Sequence, residues 1–294
     1  MRGEFRGSLV ALPTPFHAGR VDYVSLRRLV EFQLAGGTDG LVAAGSTGEG
    51  VALSAGERLS VIEFVAGTAG GRVPVLAGVG ASDTRLACEL ARAAERAGAA
   101  GLLVSTPAYN KPQQRGLVAH FGAVAEASPL PLVLYNIPSR TGVDLLPATV
   151  STVARAHASV CAIKEAGTSL ERVKELVADD AVDVILGEDA WIADGLQLGA
   201  AGVIGVLANV VPKAVAELVR ELLAGRSAGA PAIVERLAPL TRALFLEPNP
   251  APVKAALEMM GLCAGEPRLP LVAIEEGTRT QLRTALLKAG VELR

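Results

Sequence analysis

The sequence predicts a (β/α)8 barrel, the TIM-barrel class of α/β fold, with a helical subdomain at the C-terminus. Three observations carry that prediction. Short Val/Leu/Ile-rich runs alternate with longer stretches of helical period, the pattern of parallel strands joined by crossover helices. Eight such runs occur, and eight β/α units close into a barrel. The chain of 294 residues, 50% of them hydrophobic, can bury one large core, and α/β barrels reach this length as a single domain.

Taken in order, the first run is Ser8–Pro13, followed by a helix whose inward stripe is Leu26, Leu29, Val30 and Leu34. The second, Gly40–Gly45, leads into the turn Gly45-Ser46-Thr47-Gly48-Glu49 and then a helix opened by a capping box, Ser54 with Glu57, ahead of Leu59, Ile62 and Val65. The third is Val73–Val79, and its helix begins at Ser82 and closes at Gly98. Gly101–Ser105, Leu132–Tyr135, Val160–Lys164, Asp183–Gly187 and Gly202–Val206 complete the eight, each with a helix after it. Beyond Gly225 the strand pattern stops. Ala228–Phe245, Pro252–Gly261 and Leu271–Ala289 read as three helices, the first two joined by the turn-forming Glu247-Pro248-Asn249-Pro250-Ala251-Pro252. The expected division is a catalytic barrel over 1–225 and a three-helix subdomain over 226–294, with no linker long enough to separate them.

Charge is almost balanced, 28 basic against 30 acidic residues, and no basic tract appears, so nothing in the chain attracts nucleic acid or anionic lipid. No apolar segment reaches the length of a membrane span, and the N-terminus lacks the pattern of a secretion signal, so a cytoplasmic protein is expected. Cys88, Cys161 and Cys263 are an odd number and far apart, and are expected to be small buried apolar residues. His17, His120 and His157 share no metal-ligand spacing, so neither a metal nor another cofactor is expected.

Active sites of such barrels lie at the carboxyl ends of the strands. Strand two there ends in Ser46 and Thr47, strand four leads to Tyr109, strand five ends in Tyr135 with Arg140 just beyond, strand six in Lys164-Glu165 and strand seven in Glu188-Asp189. Most strand-end lysines are solvated. Lys164, however, is the one lysine at a strand end; Lys111, Lys174, Lys213, Lys254 and Lys288 fall in loops or on helices, where a solvated amine is expected. Two of the three tyrosines, Tyr109 and Tyr135, share its rim. An amine nucleophile without metal ligands suits Schiff-base chemistry, in which the iminium formed with a ketone draws electrons from the adjacent carbon. Tyr135, Thr47, Ser46 and Tyr109 could form the proton relay that this chemistry needs. The Gly-rich turn at 45–48 can bring backbone N–H groups close to an anion, although such turns are also common as plain connections. Arg140 can grip a carboxylate, though a solvated loop arginine is the commoner state. Glu49 and Glu188 read as residues that orient backbone or cap helices.

The strand ends named above, with Tyr135-Asn136-Ile137-Pro138-Ser139-Arg140-Thr141-Gly142, Ile163-Lys164-Glu165-Ala166, Gly202-Val203-Ile204-Gly205-Val206 and the 247–254 segment, resemble the dihydrodipicolinate synthase and N-acetylneuraminate lyase superfamily nearly end to end. Ser139-Arg140-Thr141-Gly142 and Glu247-Pro248-Asn249-Pro250 point to its synthase branch. That resemblance implies an aldol condensation of pyruvate with L-aspartate 4-semialdehyde in lysine and diaminopimelate biosynthesis. Lys164 would form the Schiff base, Tyr135 would donate and accept protons, and Thr47 would bind pyruvate and share the relay with Ser46 and Tyr109. The Ile204 backbone would contact pyruvate, and Arg140 would hold the semialdehyde carboxylate. The resemblance also implies a homotetramer, a dimer of dimers with Tyr109 shared across subunits. The alternatives are cleavage of a sialic acid or 2-keto-3-deoxy sugar acid by the same amine, or a barrel without catalysis. Gly50, Ala55, Leu86 and Ala108 stand where lysine-inhibited members carry polar or aromatic groups, which implies weak or absent inhibition by lysine.

Overall fold

The computed structural model describes residues 3–167 and 169–294; Met1, Arg2 and Thr168 lie outside them. Eight parallel strands close into a barrel: β1 (Gly7–Ala11), β2 (Gly40–Ala43), β3 (Val75–Gly78), β4 (Gly101–Ser105), β5 (Leu132–Asn136), β6 (Val160–Glu165), β7 (Asp183–Leu186) and β8 (Gly202–Gly205). Closure comes from β1, which pairs with β2 on one side and β8 on the other. Every expected run is a strand, with ends shifted by no more than two residues. The runs were readable because each strand is buried on both faces, so apolar residues fill it continuously.

The crossover helices are α1 (Tyr23–Ala35), α2 (Ala55–Ala69), α3 (Thr84–Arg96), α4 (Gln114–Ala127), α5 (Pro147–Ala156), α6 (Leu170–Asp179), α7 (Ile192–Gln197) and α8 (Pro212–Leu223). Three more follow: α9 (Ala230–Ala243), α10 (Ala251–Met259) and α11 (Glu276–Lys288). The capping box of α2 forms as expected, Ser54 Oγ accepting from the Glu57 N–H at 3.2 Å while Glu57 accepts from the Ser54 N–H at 2.9 Å.

Local departures have local causes. Leu34 is only half-buried, and Gln33 turns inward in its place because its amide donates to the Ala208 carbonyl at 2.9 Å. Helix α3 starts after Asp83, whose carboxylate accepts from the Arg85 N–H at 2.9 Å, so Ser82 lies outside it. The last helix begins at Glu276, five residues later than expected, since the preceding segment carries Pro267 and Pro270 and turns at 269–270, the Leu271 N–H donating to the Arg268 carbonyl at 3.0 Å. Cys88 is half-buried, whereas Cys161 and Cys263 are buried, and all three are free thiols.

Two apolar layers result. Inside the barrel, Leu9, Val42, Leu76, Leu103, Val133, Ile185 and Ile204 pack on one another, with Phe5 closing the amino-terminal end. Outside, alternate strand residues meet the helices in a layer that runs on without a break into Leu237, Leu240, Val253, Leu257, Leu282 and Leu286 of α9, α10 and α11. No helix among the described residues is long and apolar enough to cross a membrane.

Candidate active site

The position of Lys164 depends on an irregularity in β6. Along the β5–β6 ladder Leu132 pairs with Val160 but Val133 pairs with Ala162, leaving Cys161 as an extra residue. Val160 faces the outer helices, Cys161 and Ala162 both face the barrel interior, and Ile163 faces outward again. Side chains alternate along a strand, so this bulge reverses the parity of everything after it. Lys164 therefore points inward and Glu165 outward.

Inside the mouth, Lys164 pairs across the ladder with Tyr135, and its Nζ lies 4.4 Å from the centre of that ring. Lys164 is only 6% exposed and Tyr135 is buried with it. Ile204 lies in the same interior cluster as Tyr135. The strand ends that carry this pair are locked from outside. Glu165, fully buried, accepts from Asn136 Nδ2 at 3.0 Å and Arg172 Nε at 2.9 Å, while Arg172 Nη1 also pairs with Asp144 Oδ2 at 3.0 Å. Burial pushes the Glu165 carboxyl up and Arg172 opposes it. This network joins the ends of β5 and β6 to the first turn of α6.

Two acids lie within electrostatic reach of the amine without bonding to it. Glu188 is half-buried and faces Lys164 and Arg140: burial and then Asp189 raise its carboxyl, while those two cations lower it. It makes no helix-capping bond, contrary to expectation. Asp189 Oδ2 accepts from the Val206 and Leu207 N–H groups at 2.8 and 3.0 Å, fixing the chain just after Ile204, and burial raises its carboxyl as well.

The turn after β2 is held from several sides. Thr14 Oγ1 donates to the Gly48 carbonyl at 2.7 Å, and Arg58 Nε donates to the Gly50 carbonyl at 3.1 Å. Asn249 Nδ2 donates to Thr47 Oγ1 at 3.0 Å, which leaves the threonine hydroxyl hydrogen available to a ligand. The Asn249 carbonyl accepts from Arg140 Nη2 at 3.0 Å, so one residue ahead of α10 reaches both a hydroxyl and a guanidinium of the expected site. Glu49 sits at φ +52°, a left-handed conformation that costs a residue other than glycine about 1–3 kcal/mol. It orients backbone as expected, accepting from the Arg268 N–H at 2.8 Å, and its other oxygen pairs with Lys254.

Lys254 corrects the expectation of a solvated helix amine. It is 0% exposed, bonded to Glu49 and to the Glu266 carbonyl at 2.9 Å, with Nζ 4.1 Å from the centre of the Phe16 ring. Burial lowers its basicity and Glu49 raises it. Asn249 and Lys254 both escaped sequence reasoning because they lie about 200 residues from their partners, beyond any local pattern.

Of the expected site residues, Lys164, Tyr135 and Ile204 converge in the mouth, and Thr47 is joined to Arg140 through Asn249. Ser46 shares a cavity of about 60 Å³ with Tyr135, Arg58 and Ser105. Tyr109 is not brought to Lys164 within one chain: it is 91% exposed, at φ +74°, and its N–H donates to the Thr141 carbonyl at 3.2 Å.

Residues 4–289 match the Dihydrodipicolinate synthetase family. The chain belongs to that family. The 4-hydroxy-tetrahydrodipicolinate synthase of Geobacter sulfurreducens is 46% identical over 286 residues, 97% of this chain and 98% of that protein. The crystal structure of dihydrodipicolinate synthase from Aquifex aeolicus superposes with a TM-score of 0.97 at 41% identity, covering 99% of this chain and all of that one. A chloride-inhibited dihydrodipicolinate synthase from Acinetobacter baumannii, complexed with pyruvate, gives 0.95 at 42% identity over 98% and 99% of the two chains. In this member of the dihydrodipicolinate synthetase family, the inward amine on β6 lies against a buried tyrosine on β5.

Proposed function

We propose that this chain is a 4-hydroxy-tetrahydrodipicolinate synthase, condensing pyruvate with L-aspartate 4-semialdehyde. The observation that carries the proposal is the buried Lys164 amine lying on the face of Tyr135 at the barrel mouth. Its relatives' shared name and the Acinetobacter baumannii complex with pyruvate support it.

Lys164 Nζ attacks C2 of pyruvate, and loss of water leaves an iminium. A proton then leaves C3, and the enamine carbon attacks the aldehyde carbon of the semialdehyde, whose oxygen takes up a proton. The amino group of the product chain attacks C2 and displaces the lysine, closing the ring and freeing Nζ. Tyr135, beside the amine, gives and takes the protons of these steps. Thr47 offers its hydroxyl hydrogen to the pyruvate carboxylate and, with Ser46, passes protons onward. The Ile204 backbone contacts pyruvate, and Arg140, held by Asn249 at the rim, receives the semialdehyde carboxylate.

The exposure of Tyr109 supports its use in a neighbouring subunit's site, within a homotetramer built as a dimer of dimers. Arg140 at the rim favours a carboxylate-bearing aldehyde over a sugar acid. Borohydride reduction in the presence of pyruvate, followed by mass mapping, tests the proposal. The expected result is one pyruvate adduct at Lys164; no adduct, or one at another lysine, would overturn it.

A further inference from the structure

We propose that Lys254 and Glu49 are positioning residues, a buried ion pair through which the C-terminal helices set the turn that carries Thr47. The proposal rests on the reading of Thr47 as the hydroxyl that binds pyruvate.

The turn cannot hold its shape by itself. Glu49 lies in the left-handed region between Gly48 and Gly50, and a Cβ added at either glycine would press on the backbone of Ala44, itself left-handed at φ +55°. Such a conformation persists only where its surroundings over-determine it. The Glu49 side chain leaves the turn for the C-terminal helices, where Lys254 takes one oxygen and the Arg268 N–H takes the other at 2.8 Å. Three contacts hold the Lys254 ammonium: Glu49, the Glu266 carbonyl at 2.9 Å and the face of Phe16 at 4.1 Å. The ammonium thus has one position, and the carboxylate is drawn to it.

A fully buried pair of charges is a poor device for stability, since desolvating both ions offsets most of their attraction and apolar side chains would fill the space as well. What apolar side chains would not supply is direction. Two residues before Glu49, Thr47 accepts from Asn249, and Asn249 lies five residues before Lys254. One short segment therefore grips the turn at two points, and the Thr47 hydroxyl is aimed from both.

The test replaces both charges together. In Lys254→Met with Glu49→Gln no charge is left buried and unpaired, and the glutamine still accepts from the Arg268 N–H. The melting temperature should stay within a few degrees of wild type, pyruvate KM should rise roughly tenfold, and semialdehyde KM should change by less than about twofold. A wild-type pyruvate KM, or an equal rise in both KM values, would overturn the proposal. Should the double variant fail to fold, Lys254→Arg keeps the charge and alters its reach; the same selective rise supports the proposal and an unchanged pyruvate KM refutes it. Trapping pyruvate on the wild-type enzyme separates the two readings. Absence of a Lys164 adduct refutes the function, whereas a normal adduct with an unchanged variant KM refutes only the positioning role.

Discussion

Lys164 and Lys254 are one residue type put to opposite uses. Both are buried, but Lys254 spends its donors on a carboxylate, a carbonyl and a ring, whereas among the described residues Lys164 meets only the face of Tyr135 and distant acids, which would leave its amine for chemistry. The chain shows which lysine ends a strand; it does not show that a helical lysine is buried, because its partner Glu49 is 205 positions away. Arg58 sharpens the expectation about lysine. Its guanidinium, lowered in basicity by burial, is bonded to the Gly50 and Gly80 carbonyls and lines the cavity beside Ser46. A fixed cation there would repel the side-chain ammonium of a lysine lodged against it, in the same direction as the weak inhibition that Gly50, Ala55, Leu86 and Ala108 imply by resemblance. Lysine at millimolar concentration should leave the initial rate unchanged in a steady-state assay; half-inhibition below that range would refute the expectation.

Elements were the most legible scale. A strand buried on both faces must be apolar throughout, so the eight runs stood out, and helix starts such as Ser54-x-x-Glu57 carry their own chemistry. Parity within a strand was not legible, since a continuously apolar strand shows no alternation from which to read which side faces in. Between α3 and α4 lies a titratable contact with its own consequence. His120 is buried, its Nδ1 2.9 Å from Thr84 Oγ1 and its Nε2 without a hydrogen-bond partner among the described residues, and burial pushes its pKa down to about 4 from 6.5. Above pH 6.5 the ring is neutral whether the chain is folded or not, and nothing is lost. As pH falls from 6.5 toward 4 the unfolded chain takes up a proton that the folded one refuses, so stability declines by up to about 3 kcal/mol. Melting temperatures of wild type and His120→Gln should run parallel above pH 6.5 and diverge below it, the variant falling less. Parallel curves down to pH 4.5 would count against this account.

For the whole molecule, one chain leaves Tyr109 outside its own barrel mouth. Tyr109 stands out from the surface in a strained conformation, and Val51, 96% exposed, lies on the loop after the Thr47 turn. If neighbouring subunits exchange Tyr109, Lys164→Ala and Tyr109→Phe should complement each other. Co-expressed, half of the sites in each mixed pair regain both groups, and random pairing should restore about a quarter of wild-type activity where each variant alone is nearly inactive. No recovery would place Tyr109 in its own chain's site. That assembly would be worthless without the bulge at Cys161, which makes the catalytic inventory depend on arithmetic as well as on side chains. A homologue shortened by a single residue between Val160 and Ile163 would preserve the Ile163-Lys164-Glu165 tripeptide letter for letter. It would also turn its carboxylate into the mouth and bury its amine under the outer helices. Within this strand, a deletion that substitution tables never register is therefore enough to separate an aldolase from an inert barrel.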